Sequence, residues 1–150
     1  MKHEFLKHLK KDHDEQKQLG KRMAEATASR DRERLRRKFH DSLYPHLMGE
    51  EASIFKRLQQ VGDEEAKKDC LENLREHQEA KIVLRDLMAL EAGSGIFQAK
   101  AKVLDELNRH HIAHEDGKIF GHLERLFDKQ ELDRLFEQYG KKSEEGKPKF

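Results

Sequence analysis

The stretch His46-Leu47-Met48-Gly49-Glu50-Glu51-Ala52-Ser53-Ile54-Phe55-Lys56-Arg57-Leu58 decides how the rest of the chain is read, because it recurs as His111-Ile112-Ala113-His114-Glu115-Asp116-Gly117-Lys118-Ile119-Phe120-Gly121-His122-Leu123. Both copies run His, three residues, Glu, a second acid, two residues, Ile-Phe, two residues, Leu. On a helix, residues four apart are surface neighbours, with Cβ atoms about 5–6 Å apart. Each copy therefore offers an imidazole and a carboxylate from one face, beside apolar residues able to bury.

The composition outside these copies narrows the fold. Of the 150 residues, 41% are charged and only 35% hydrophobic. Leu, Ile, Val and Phe sit just above the roughly 20% below which chains stay disordered, and the net charge is only +1. A chain this polar folds by burying narrow apolar stripes on long helices, since a buried sheet needs near-continuous apolar runs. The expected class is all-α. The balance of 31 basic and 30 acidic residues lacks the concentrated basic face of a nucleic-acid binder. The basic run from Arg30 to Lys38 is interleaved with Asp31, Glu33 and Leu35 and reads as a solvated helix face. A single cysteine, Cys70, rules out an internal disulfide and fits a reducing compartment. No apolar run approaches the ~18 residues of a membrane span and no signal-peptide core opens the sequence, so a cytoplasmic protein is expected.

Spacing and turn chemistry predict four long helices, over 4–26, 30–60, 64–91 and 96–126, in an up-down-up-down bundle. Ser29 is the expected cap of the second helix, Asp63 of the third and Ser94 of the fourth. Pro45 should kink the second helix, since it removes a backbone donor and crowds the preceding turn. Asp128-Lys129-Gln130-Glu131 has the form of a capping box and should open a short fifth helix ending near Gly140. Residues 1–140 then form one domain, with 141–150 as a polar, frayed tail. Tyr44 and Tyr139 read as packing residues.

In such a bundle two residues lie at one height when they are equally far from the turn joining their helices. The midpoint of His13 and His46 falls between Ser29 and Arg30, that of His46 and His77 between Val61 and Gly62, and that of His77 and His111 on Ser94, inside Gly93-Ser94-Gly95. At ~100° per residue, Leu6, Leu9 and His13 share a face, as do Cys70, Leu74 and His77, and Leu104, Leu107 and His111. Four imidazoles are thus expected inside at one level, joined there by Glu50 and Glu115. Burying these groups without partners would cost several kcal/mol per charge, which a cation offsets. Nitrogen and carboxylate donors suit iron, manganese and zinc, and six side chains exceed the four of a closed zinc site. The expected metal set is His13, His46, Glu50, His77, His111 and Glu115 around two irons with the carboxylates as bridges; two zinc ions are an adventitious alternative.

The pattern Asp12-His13, His46-x3-Glu50, Glu76-His77 and His111-x3-Glu115, with Ile-Phe after each Glu pair, resembles the hemerythrin-like HHE cation-binding domains over about residues 4–126. That resemblance implies a four-helix bundle around an oxo- or hydroxo-bridged non-haem di-iron centre. It also implies binding or sensing of O2 or a related small ligand, reaction with nitric oxide or peroxide, or iron supply for repair of iron–sulfur centres. Oxygen-carrying hemerythrins have a further histidine one turn from the third-helix histidine, whereas Asn73 and Lys81 flank His77 here. They also end their ligand set on a His-x4-Asp pair, which Asp116 would satisfy by spelling. At ~100° per residue Asp116 lies about 140° from His111 and Glu115 about 40°, so Glu115 is taken and Asp116 is left to solvent or a supporting role. The resulting four-His, two-Glu set looks more like the repair and NO-responsive branch, although the cysteine-bearing N-terminal segment frequent there has no counterpart in this sequence.

Several choices stay open at this level. His110 and His114 form a second pair that could shift the register of the site, or His114 could orient a ligand from behind. His8 should face solvent, and His122 should lie too far below His111 to join the same centre. Lys17 and Lys81 could place positive charge near bound anions. A small-ligand binding or sensing protein, monomeric or weakly dimeric, is the expectation. A di-iron redox enzyme or iron donor is the alternative, and a metal-free helical interaction module is the third reading.

Overall fold

The computed structural model describes residues 2–146, and among them the secondary structure is helical throughout. The helices are α1 (Glu4–Glu25), α2 (Ser29–Ala52), α3 (Ile54–Leu58), α4 (Glu64–Ala89), α5 (Phe97–His114), α6 (Phe120–Leu126) and α7 (Lys129–Glu145), with a π-helical turn, Glu115–Ile119, between α5 and α6. Helix α1 packs on α2 and α5, α4 on α2 and α5, and α7 along α2. No described helix is long and apolar enough to cross a membrane.

Two expected caps hold: the carboxylates of Asp63 and Asp128 accept hydrogen bonds from the Ala66 and Glu131 amides. Two do not. Ser29 is the first residue of α2, preceded by Ala28 with no side-chain cap, and α5 starts after Ile96, with the Ser94 hydroxyl accepting from the Ile96 amide at 3.4 Å. The long helices also break where apolar spacing alone shows no break. Helix α2 runs through Pro45 and stops at Ser53 instead, at φ −117° and ψ −88°. There the Ser53 hydroxyl donates to the Gly49 carbonyl at 2.7 Å.

The second copy of the repeat is interrupted at the same place, by the π turn that begins at Glu115. Both interruptions have one cause. Glu50, Ile54 and Phe55 are all fully buried, as are Glu115 and Ile119, with Phe120 nearly so. A regular helix sets the Phe about 140° from the Glu, so a local change of twist lets both face inward.

Helix α7 is neither short nor finished at Gly140: it continues to Glu145, and residues 147–150 of the expected tail lie outside the described residues. Leu132, Leu135 and Tyr139 are buried along it, and Gly140 does not adopt the positive φ that would end a helix. Its close seat on α2 requires Gly49, where an added Cβ would meet the Tyr139 ring at 2.6 Å and the Tyr139 carbonyl at 3.0 Å.

The apolar core falls into two clusters. One gathers Phe5, Leu6, Leu9, Ile54, Phe55, Cys70, Ile119 and Phe120, and the other Leu19, Met23, Phe39, Leu43, Leu47, Leu84, Leu87, Phe97 and Leu104. On α1 and α4 one of the four histidines expected inside, His13 or His77, stands in sequence between the two clusters, and on α2 and α5 His46 and His111 lie toward the end that leads to the Phe5 cluster.

Candidate metal centre

Helices α1, α2, α4 and α5 each deliver one imidazole to the layer between the apolar clusters. His13, His46, His77 and His111 are at most 1% exposed, and Glu50 and Glu115 are fully buried. Ring centroids lie 5.0 Å apart for His13 and His46, 4.4 Å for His77 and His111, and 6.3 Å for His13 and His111. The six side chains expected from the sequence therefore meet at one level.

They meet as two groups that share their carboxylates. His46 Nε2 is 3.2 Å from Glu50 Oε2, and His13 Nε2 is 3.3 Å from Glu115 Oε1. On the other side, His77 Nε2 is 3.3 Å from Glu50 Oε1, and His111 Nε2 is 3.3 Å from Glu115 Oε2. Each glutamate thus turns one oxygen to each pair of imidazoles, and within each group the donor atoms lie within 4.8 Å of one another. None of the four Nε2 atoms or the four carboxylate oxygens has a hydrogen-bond partner among the described residues.

The opposite edges of the rings are held. His13 Nδ1 lies 2.9 Å from Asp116 Oδ1, His46 Nδ1 3.0 Å from Asp12 Oδ2, and His77 Nδ1 3.0 Å from Glu51 Oε2. A carboxylate only accepts, so each Nδ1 carries a proton and each ring turns its Nε2 toward the centre. His111 Nδ1 has no such partner among the described residues. The second acid of each repeat copy, Glu51 or Asp116, therefore orients a histidine on another helix. The Phe of each copy walls one in: Phe55 meets His77 edge-on at 5.0 Å, and Phe120 stacks on His13 at 5.8 Å. Lys81 ends on Glu51 at 2.7 Å, so its charge is spent on that carboxylate.

The charges follow from this crowding. Burial and the facing Glu115 charge push the Glu50 carboxyl well above its usual range. Burial works the same way on Glu115, but the facing Glu50 carboxyl and the charge of His13 outweigh it and hold Glu115 well below. Burial disfavours charge on His13, yet Glu115 and Asp116 raise it to about 9. His111 is driven well below the ordinary histidine value by burial and by the neighbouring His77. The orphaned donors fit a divalent ion in type and orientation.

The sequence reading missed Tyr139. Its hydroxyl donates to Asp12 Oδ2 at 2.9 Å and lies 3.0 Å from His46 Nδ1, fixing the pair behind the metal-facing imidazole. The stripe Leu132, Leu135, Phe136 and Tyr139 marked it only as a packing residue, because its partners Asp12 and His46 lie on other helices. His110 and His114 do not shift the register of the centre. His110 is 77% exposed with Nε2 3.0 Å from Glu76, and His114 Nδ1 lies 2.8 Å from Glu76, outside the two groups that share Glu50 and Glu115. His122 bonds Asp69 at 2.7 Å, away from the centre, and His8 is exposed.

A buried layer of imidazoles and shared carboxylates in an all-helical bundle is the kind of donor cluster that is compatible with a metal ion. The chain matches the hemerythrin HHE cation-binding domain model over residues 4–123, and it belongs to that family. No curated protein and no solved structure matches it.

Proposed function

We propose that this protein holds two non-haem iron ions and binds or senses O2 or a related small ligand there. His13 and His46 would hold one ion and His77 and His111 the other, with Glu50 and Glu115 bridging. The supporting observation is the set of buried imidazole nitrogens and carboxylate oxygens that have no hydrogen-bond partner and divide into two groups sharing both glutamates. Left bare, such groups cost several kcal/mol per charge. The donor set of two nitrogens and two oxygens per ion suits iron and leaves coordination positions open.

The up-down-up-down course of α1, α2, α4 and α5 belongs to this reading. It is supported by the order in which the chain meets the apolar clusters: α1 and α4 pass from the Phe5 cluster to the Met23 cluster, while α2 with α3, and α5 with the π turn and α6, run from the Met23 cluster to the Phe5 cluster. A cytoplasmic location and a monomer or weak homodimer complete it, in keeping with the single buried free cysteine.

When bound, iron would supply an open coordination position and a change of oxidation state. The chain's own residues do the rest. Asp12, Glu51 and Asp116 fix ring orientation, Phe55 and Phe120 exclude water, and the Tyr139 hydroxyl donates to the carboxylate behind His46. A surface pocket of about 430 Å³ reaches Asp12, His46 and Tyr139, which favours as a second reading redox turnover of peroxide or nitric oxide.

The test is metal content and the optical spectrum of anaerobically iron-loaded protein before and after O2 or nitric oxide is admitted. Two irons per chain and a charge-transfer band altered by the gas are expected. Wild-type protein that takes up no iron overturns the proposal, and multiple turnovers with peroxide would favour the enzyme reading.

A further inference from the structure

We propose that Asp69, Glu72 and His114 form a second, mononuclear site for a first-row divalent cation, between α4 and the end of α5. This goes beyond the dimetal reading and does not rest on it.

His114 repeats the arrangement of the buried histidines. Its Nδ1 lies 2.8 Å from Glu76 Oε1, and the same oxygen accepts from the Asn73 amide at 2.9 Å. The Asn73 amide also sits 3.3 Å from His114 Nδ1 and 3.5 Å from the His111 carbonyl. With a carboxylate at Nδ1 the proton resides there, so the Nε2 lone pair is free. That Nε2 is buried without a hydrogen-bond partner among the described residues, as are Nε2 of His13, His46 and His77.

Two carboxylates face this nitrogen. Asp69 Oδ1 and Glu72 Oε2 each lie 4.0 Å from His114 Nε2, and donor atoms of all three residues lie within 4.8 Å of one another. A protonated Nε2 would draw one carboxylate to about 2.7–3.2 Å, and 4.0 Å is too long for a hydrogen bond. Two donors on a tetrahedral ion with bonds of about 2.0–2.2 Å lie about 3.3–3.6 Å apart, so each carboxylate needs to move only about half an ångström to share an ion with this nitrogen.

Asp69 is itself oriented. Its Oδ2 is 2.7 Å from His122 Nε2, and the Arg125 guanidinium, which only donates, lies 2.8 Å from His122 Nδ1. His122 must then donate from Nε2 to Asp69, leaving Oδ1 for a cation. Asp69 is 4% exposed, a buried carboxylate, while the Glu72 side chain is 46% exposed and opens the site to water. One imidazole with two carboxylates selects manganese, iron, cobalt or zinc over magnesium or copper(I). Water must complete the shell, so the ion is held more weakly than in a closed cage and exchanges with solvent.

The test is equilibrium dialysis of the metal-free full chain against cobalt(II), with bound metal counted by elemental analysis. Wild type should bind one more ion per chain than the double variant Asp69→Asn/Glu72→Gln at saturating cobalt. Glu72→Gln alone, at an exposed position, should weaken that ion at least about tenfold without changing thermal stability. The difference between wild type and variant carries the result, so failure of the buried centre to bind leaves it readable. A Glu50→Gln/Glu115→Gln variant should still bind the ion at Asp69, Glu72 and His114. Equal cobalt content of wild type and Glu72→Gln at every free concentration overturns the proposal.

Discussion

Metal-free protein should lose stability as the solution is made alkaline, and His13 should be responsible for a measurable share of the loss. The imidazole is buried between Glu115 and Asp116, 3.3 and 2.9 Å away, which raise it to about 9 against a penalty from burial. The folded-state value lies above the unfolded value of about 6.5, so the contribution is complete below pH 6.5 and is lost as pH rises through 9. A rise of that size corresponds to about 3 kcal/mol, at about 1.4 kcal/mol per unit. His77, also raised, adds a loss in the same direction, while His111, lowered, acts only below pH 6.5. The Cys70 thiol, pushed up to about 12 by burial, begins to act only above its unfolded value near 9. Between pH 6.5 and 9 the difference between wild type and His13→Gln therefore isolates one group. Urea unfolding of the apo forms should show the wild-type midpoint falling about 1–2 M further than that of the variant over this range. Parallel midpoint curves for the two would refute the charge assignment at His13.

Removing the Tyr139 hydroxyl (Tyr139→Phe) deletes its hydrogen bond to Asp12, and the urea midpoint should report a loss of about 1 kcal/mol. Gly49→Ala drives a methyl into the Tyr139 ring and should cost about 1–3 kcal/mol by the same assay; an unchanged midpoint would mean that α7 does not press on α2 there. Glu50→Ala and Glu115→Ala should each lower bound iron more than Asp116→Ala, which removes only the anchor of His13; equal losses in elemental analysis would undo the choice of ligands. Coordination needs neutral imidazole, so iron should leave as pH falls below about 6.5, and full occupancy after dialysis at pH 5 would contradict equilibrium binding.

The helices and the inward histidines were legible because period and charge pattern are local properties of the chain. The midpoints between histidines anticipated the connections at 26–28, 59–63 and 90–96, the first with an offset of two to three residues. Glu115 could be preferred to Asp116 from rotation alone, and the structure places Asp116 behind His13. The interruptions at Ser53 and Glu115–Ile119 were not legible, because they answer a tertiary demand that Glu, Ile and Phe all face inward. Nor were the pairings of Asp12 with His46 or Glu51 with His77, which join residues on different helices and leave no spacing to read. The role of Tyr139 was hidden in the same way, since Asp12 and His46 lie on other helices, and the length of α7 was hidden by a local rule: glycine weakens helices, yet α7 continues through Gly140 because its apolar stripe is held against α2.

The account stands or falls on whether both halves of the buried layer take an ion. Anomalous diffraction at the iron edge from crystals of iron-loaded protein reads this directly. Two peaks in the buried layer are expected, one beside Nε2 of His13 and His46 and one beside Nε2 of His77 and His111, with Glu50 and Glu115 reaching both. A single peak there, or iron found only at the protein surface, would contradict it.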